Sequence, residues 1–408
     1  MIQKIKGGVT AAKGFEAAAA AAKIKYQDRT DMALIYSTRP CVVAGTFTMN
    51  VVKAAPVKWN QEMLEMVDSA QAIIVNSGIA NACTGAKGYE YCEQTAQAAG
   101  KALAIEANQV LLGSTGVIGK QLPIERIVEG VKTLSVKKNN SSKSATEAAK
   151  AIMTTDTYEK ELAVTFAIGD KTVTLGGMAK GSGMIHPNMC TMLSFLTTDA
   201  KISKETLKEA LLADVQDTYN MISVDGDTST NDTVIIMANG LADNEEIISG
   251  TKEYELFVQA LREVNEYLAK KIAGDGEGAT ALFEVQVKNA SSITQAKCLA
   301  KSIVCSSLTK TAIAGHDANW GRILCAMGYS GASFDPEQVD LSFESEAGKI
   351  QIIKNGTAVD YSEEQATKIL SKNHVTAIAD IKEGNEKATA WGCDLTHEYI
   401  TINADYRS

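Results

Sequence analysis

The chain has 408 residues, of which 45% are hydrophobic and 22% charged, and it carries a net charge of −9. That is ordinary composition for a soluble globular protein with room for more than one core, and the acidic balance leaves no surplus of Lys and Arg to neutralise phosphates, which excludes a nucleic-acid partner. The longest suspicious tract, Ala17–Ala22, is bracketed by Glu16 and Lys23 and is far too short for a membrane span, so a cytoplasmic protein with no membrane contact is expected.

Near the start, Gly8-Val9-Thr10-Ala11-Ala12-Lys13-Gly14-Phe15 precedes the alanine tract. Two apolar runs then end in glycine and small polar residues. Ala72-Ile73-Ile74-Val75 leads into Asn76-Ser77-Gly78, and Val110-Leu111-Leu112 leads into Gly113-Ser114-Thr115-Gly116. Both read as buried strands that deliver loops to one edge of a sheet. The polar stretch 137–143 reads as a surface connection. Ser144-Ala145-Thr146-Glu147 has capping-box spacing for a short helix that stops near Met153, before the hydroxyl-rich turn Thr154-Thr155-Asp156-Thr157.

Lys180-Gly181-Ser182-Gly183 follows, a glycine loop around a lysine that lets backbone approach a ligand closely. Met192–Leu196 beyond it is apolar and expected to be buried, which leaves Cys190 and Thr191 where open loop meets rigid support. Residues 203–214 read as a helix with Leu207, Leu211 and Val215 on one face, 233–238 as a continuous apolar strand, and 252–273 as the clearest helix. Gly274-Asp275-Gly276-Glu277-Gly278 looks like a nucleotide loop, but it follows a helix and precedes a strand, the reverse of a dinucleotide fingerprint. Further on, Asn355-Gly356 marks a hairpin, and Ser362-Glu363-Glu364-Gln365 opens a helix expected to end at Asn373. Residues 387–394 and 396–402 read as the last two strands. Eight cysteines, Cys190 among them, form no C-x-x-C pair, which suits free thiols rather than a zinc site or a disulfide framework. There is no internal repeat.

Lys180-Gly181-Ser182-Gly183-Met184-Ile185, then Pro187, then Met189-Cys190-Thr191-Met192-Leu193-Ser194-Phe195 and Thr197-Thr198-Asp199-Ala200 resemble the self-cleavage signature of the bifunctional ornithine acetyltransferase / glutamate N-acetyltransferase family of arginine biosynthesis. The similarity extends from Gly8–Phe15 to Ile402-Asn403-Ala404-Asp405-Tyr406-Arg407-Ser408. One position departs: the residue before the threonine is most often alanine in that family, and here it is Cys190.

The resemblance implies an α+β fold, an αββα-type layered sandwich with a smaller C-terminal α+β domain, divided here as residues 1–280 and 281–408. It implies self-cleavage between Cys190 and Thr191 into chains 1–190 and 191–408 that remain together, with dimers of such pairs. Thr191 is then the nucleophile, and its new α-amine, with a pKa of about 7.7–8.0, serves as the base. The Thr115 hydroxyl and Gly116 N–H form the oxyanion donors, and Thr154, Lys180, Glu277, Asn403 and Ser408 join Thr191 in binding substrate. Lys180 suits a carboxylate and Glu277 an ammonium group, as zwitterionic N-acetylornithine and glutamate require. No cofactor or metal is expected to be tightly bound; acetyl-CoA is a further donor in bifunctional relatives. Two rival readings are a self-processing aminopeptidase or amidase of related architecture, which passes the acyl group to water, and a non-catalytic binding protein that keeps the loop as scaffold.

Overall fold

A computed structural model describes residues 1–186 and 192–406. In chain order its first half has strands β1 (Gln3–Ile5), β2 (Phe15–Ala20), β3 (Met32–Phe47), β4 (Ala70–Ile79), β5 (Val110–Val117), β6 (Lys160–Ile168) and β7 (Lys171–Lys180), with helices α1 (Ala55–Met66), α2 (Gly85–Leu103), α3 (Ile124–Lys137) and α4 (Ser142–Ala151). Then come β8 (Leu193–Thr198), α5 (Lys204–Val215), β9 (Ile222–Ser223), β10 (Thr233–Ala238) and α6 (Lys252–Gly274). The last third holds β11 (Leu282–Ala290), α7 (Ile293–Cys305), α8 (Ser307–Ala314), α9 (Trp320–Gly328), β12 (Asp340–Ser345), β13 (Gly348–Lys354), β14 (Thr357–Ala358), α10 (Glu363–Leu370), β15 (His374–Asp380), β16 (Glu386–Cys393) and α11 (His397–Asp405).

The layering follows from one long strand. β3 pairs with β2 and β4 through its first half and with β10 through Val42–Phe47. Its pairing with β4 shifts register between Tyr36 and Cys41, around Pro40, which has no N–H to give a ladder. β3 thereby leaves the sheet of β2, β4 and β5 and enters the sheet of β1, β6, β7, β8 and β10. The two sheets stack face to face. Met178, Leu193, Phe195, Ile235 and Met237 point into one core with Leu34, Ile73 and Leu111. The alternate residues Leu175, Leu196, Val234 and Ile236 point the other way, onto Phe257, Leu261, Val264 and Leu268 of α6. Gly113 in β5 makes room for the Phe195 ring, which a Cβ there would meet at 3.0 Å. With α1–α4 outside one sheet and α5 and α6 outside the other, the result is an α+β, αββα-type sandwich.

A third sheet runs β14-β13-β12-β15-β11-β16-β9, so β9, from well before residue 281, completes it. α6 touches this sheet as well as β6 and β7 of the sandwich, and a single apolar cluster runs through it.

Most expected elements are present, and three differ. The cap of α4 is Ser141, whose hydroxyl accepts from the Ser144 N–H at 3.2 Å; Ser144 lies inside the helix and donates to the Asn139 carbonyl. α10 ends at Leu370 rather than Asn373, after its Ser362 cap. The larger correction is at the end of the chain, where 396–402 is not a strand. Thr396 caps α11, accepting from the Glu398 N–H, and the segment is helical to Asp405. Its alternating Tyr399, Thr401 and Asn403 mimic strand periodicity, but no sheet edge receives them, and no residue of α11 is buried.

Candidate active site

Seven segments of the chain meet at the carboxyl ends of β5 and β7. β4 and β5 run parallel, with Gly78 opposite Gly116, so both deliver their tails to the same edge. Gly116 has φ +128, and a Cβ on it would lie 2.3 Å from the Gly78 carbonyl carbon. Only glycine fits, and Thr115 beside it faces the cavity. β7 ends on Lys180, and α4 runs out into Thr154.

These residues line a cavity of about 120 Å³ that contains Thr115, Gly116, Thr154, Lys180, Glu277 and Asn403. All six described candidates from the sequence are therefore together. Thr191, Cys190 and Ser408 lie outside the described residues. Met192, the residue after Thr191, lines the cavity, as do Ile185, Asp232 and Tyr406.

The Lys180 ammonium donates to the Thr154 hydroxyl at 2.9 Å and lies 3.4 Å from the Thr115 hydroxyl. Burial lowers its pKa, opposed first by Asp156 at 3.9 Å, while Lys160 adds to the lowering and Glu277 and Asp232 oppose it. Asp156 itself is out of solvent. Burial favours its neutral form, but Lys180 and Lys160 together overcome this and hold the carboxyl well below the usual carboxylate range. Across the cavity, Glu277 is 8% exposed and accepts from the Asn403 amide at 2.6 Å. Gly183 lets it stand there, because a Cβ at that position would come within 2.4 Å of the Glu277 carboxyl. A cation and an anion thus face one small polar space, flanked by hydroxyls and a glycine backbone.

The ArgJ family matches residues 16–408. The arginine biosynthesis bifunctional protein ArgJ of Thermotoga neapolitana is 52% identical over 397 residues, spanning 97% of this chain and 99% of its own. The protein of the same name from Listeria monocytogenes is 45% identical over 408 residues, the full length of both. The chain belongs to the ArgJ family. It is an N-acetyltransferase of arginine biosynthesis. A crystal structure of the ArgJ protein of Bacillus halodurans, 47% identical, superposes with a TM-score of 0.50, covering 52% of this chain and 97% of that one.

In this ArgJ family member, sequence reasoning missed what lies behind the cavity. Asp156, Lys160 and Asp275 form a buried ionic group: Lys160 reaches Asp156 at 2.8 Å and Asp275 at 2.5 Å. Asn231 was also missed; its amide donates to the Ala80 and Ser114 carbonyls at 2.6 and 2.8 Å, pinning the strand that carries Thr115. The signal for Asp156 was its place between the threonines of the 154–157 turn. For Lys160, a charge at the start of a strand reads as solvated until the fold buries it.

His186 is held apart from this chemistry. Its Nδ1 lies 3.1 Å from the Ser223 hydroxyl and 3.5 Å from the Cys305 thiol, and burial, helped by Lys301, pushes its pKa down to about 4. Among the described cysteines none is bridged. Among the described residues no helix is long and apolar enough to cross a membrane, and no three His, Cys, Asp or Glu side chains are grouped to hold a metal.

A roomier groove of about 540 Å³ lies between α6, α7 and β16, lined in part by Arg262, Lys270, Glu284, Lys297 and Trp391. These polar groups are engaged: Arg262 and Lys297 pair with Asp217, Lys270 with Glu266, and the Trp391 indole donates to Glu284. The candidate residues line the smaller space instead, where Lys180 stops short of its carboxylate.

Proposed function

We propose that the chain moves the acetyl group of N-acetylornithine to glutamate through an acetyl ester on Thr191. The observation that carries this reading is the cavity that sets Lys180 and Glu277 opposite one another beside Met192, the neighbour of Thr191. Lys180 takes the substrate α-carboxylate and Glu277 a substrate ammonium group. The Thr191 hydroxyl adds to the acetyl carbonyl and passes its proton to the Thr191 α-amine. The oxyanion draws on the Thr115 hydroxyl and the Gly116 N–H, each such donor contributing about 2.7–4 kcal/mol. Collapse breaks the C–N bond as the Thr191 ammonium returns that proton to the departing ornithine nitrogen, and the glutamate amine then attacks the ester in the reverse sense, regenerating the Thr191 hydroxyl. Thr154, Asn403 and Ser408 complete the substrate contacts. Acetyl-CoA serves as a second donor without being a bound cofactor. An aminopeptidase would hand the acyl group to water; the paired charges here suit an amino-acid acceptor.

The α-amine base requires cleavage between Cys190 and Thr191. Chains 1–190 and 191–408 would stay joined, because β7 from the first pairs with β8 from the second and β3 with β10. The half-length match to the Bacillus halodurans chain fits a protein that exists as two pieces. We take residues 1–280 and 281–408 as the two domains, and the working form as a cytoplasmic dimer of cleaved pairs. Intact mass under denaturing conditions tests the reading: two fragments are expected, the second beginning at Thr191, and one full-length inactive chain for Thr191→Ala. Two fragments from Thr191→Ala would overturn it. Cys190→Ala is expected to cleave and to keep most transfer activity, since Cys190 ends on the trailing terminus without the new amine.

A further inference from the structure

Lys180 can bind a carboxylate only while it is protonated, yet it is 7% exposed at the end of β7, where burial favours the neutral amine. Its ammonium has three donors. The Thr154 hydroxyl at 2.9 Å takes one, and the Thr115 hydroxyl lies 3.4 Å from the same nitrogen. Asp156, the carboxylate nearest to it among the described ion pairs, stands at 3.9 Å, beyond hydrogen-bond reach. That spacing supplies charge without consuming the donor a substrate carboxylate needs.

Asp156 is fixed on every side. One oxygen accepts from the Gly181 N–H at 2.7 Å and from Lys160 at 2.8 Å, and the other accepts from the Thr154 N–H at 3.0 Å. Lys160 bonds Asp275 at 2.5 Å, and Asp275 also takes the Thr157 N–H at 3.0 Å and the Thr157 hydroxyl. Charges therefore alternate along a buried row, Lys180, Asp156, Lys160, Asp275, which sums to zero. The row ties together the turn carrying Thr154, the strand end carrying Lys180 and the loop leading to Glu277. Lys180 is also within the field of Glu277 and Asp232, Asp156 within that of Tyr26, and Asp275 within that of Tyr158.

We propose that Asp156 is a positioning residue for acetyl transfer: through this row it keeps Lys180 charged and aimed, with one donor left for the substrate carboxylate. The proposal rests on the reading in which Lys180 receives that carboxylate. The acidic limb of kcat/KM then reports the Thr191 amine, which must be neutral, and the alkaline limb reports Lys180, which must be protonated.

The test is kcat/KM for glutamate from pH 6.5 to 10 in acetyl transfer, on cleaved enzyme. Lys180→Met first checks the underlying reading: unchanged kcat/KM there would remove Lys180 from substrate binding, whatever Asp156 does. With Lys180 confirmed, Asp156→Asn, which keeps one oxygen acceptor but not the charge, is expected to move the alkaline limb to lower pH by roughly one to two units, so that kcat/KM falls about 10- to 100-fold on the alkaline side of the native limb. Asp156→Glu is expected to restore the limb in large part. In Asp156→Asn combined with Lys180→Arg the limb is expected to vanish, because a guanidinium does not deprotonate. A limb at native pH in Asp156→Asn, or an equal shift in the Arg background, overturns the proposal. If Asp156→Asn does not fold, Asp275→Asn carries the same test: it leaves the Lys160 charge under-compensated beside Lys180, and an unmoved limb there overturns the proposal.

Discussion

Helix α6 carries a half-buried charge cluster halfway along its length and ends beside a fully buried one, and the two are built differently. Midway, Arg262 meets Asp214 through its Nε and Asp217 at 2.9 Å, and Lys297 closes on Asp217 at 2.5 Å. Asn265 donates to the second Asp214 oxygen at 2.7 Å, and Tyr219 links Asn265 to Ser194. Every named group there reaches its partner in direct contact. At the end of α6, Asp275, Lys160 and Asp156 are as tightly joined, but the last member, Lys180, stands 3.9 Å off and faces a cavity. The first cluster locks α5, α6 and α7 together. The second holds one cation ready for something not in the protein. Under the proposed function, the cation that stops short of its carboxylate serves recognition and the cluster with its valences filled serves structure.

That contrast breaks first on the pair facing the cavity. Lys180→Met and Glu277→Gln are each expected to lower kcat/KM for both N-acetylornithine and glutamate by roughly 30- to several-thousand-fold, the usual cost of about 2–5 kcal/mol for truncating one partner of a buried charged contact. Self-cleavage, followed by denaturing electrophoresis, should remain. Normal kinetics for both substrates in either variant would take that residue out of the site.

Asp214→Asn is expected to do the opposite. Both Asp214 oxygens accept, from Arg262 and from Asn265, so an amide there sets a donor against a donor and should cost about 1–3 kcal/mol of stability in a urea titration, while kcat/KM per folded molecule stays native. A kinetic loss without a shift of the urea midpoint would mean that the midway cluster also serves the site.

Asn403→Ala should sharpen the picture at smaller scale. Its amide bonds Glu277 at 2.6 Å, but Asn403 sits on an exposed face of α11, so a loss of about 1 kcal/mol, roughly fivefold in KM, is expected.

The smallest effect is in the pH dependence of stability, and the two clusters should give it opposite signs. Burial pushes against the Asp156 charge, but Lys180 and Lys160 hold its pKa low, so between that pKa and the ordinary value of about 4 the unfolded chain binds more protons than the folded one. Its contribution is present above about pH 4 and is lost as pH falls. Burial raises the Asp214 pKa despite Arg262, so there the folded chain binds more protons, and stability declines as pH rises from about 4 through the folded pKa. Urea midpoints from pH 3.5 to 6 should therefore show a flatter acid-side loss in Asp156→Asn and a steeper one in Asp214→Asn. Equal slopes would mean that the two carboxylates sit in equivalent environments.

Local rules in the sequence were enough to give the elements whose reasons are local. Thr233–Ala238 is a strand because its apolar run is buried on both faces, Ser203 and Ser362 cap helices through their own hydroxyls, and Asn355-Gly356 turns because both residues take positive φ. The candidate residues Thr115, Gly116, Thr154, Lys180, Glu277 and Asn403 could be picked out by motif, yet that they share one cavity depended on β4 and β5 running parallel and on α6 turning back to the end of β7. Periodicity failed at α11, where a period of two was read and Thr396 capping decided, with no strand edge to pair. It was silent on Asp156, Lys160 and Asp275. A charge in a sequence carries no record of its solvent, and only packing three segments against one another removes the water that would otherwise have made those charges unremarkable.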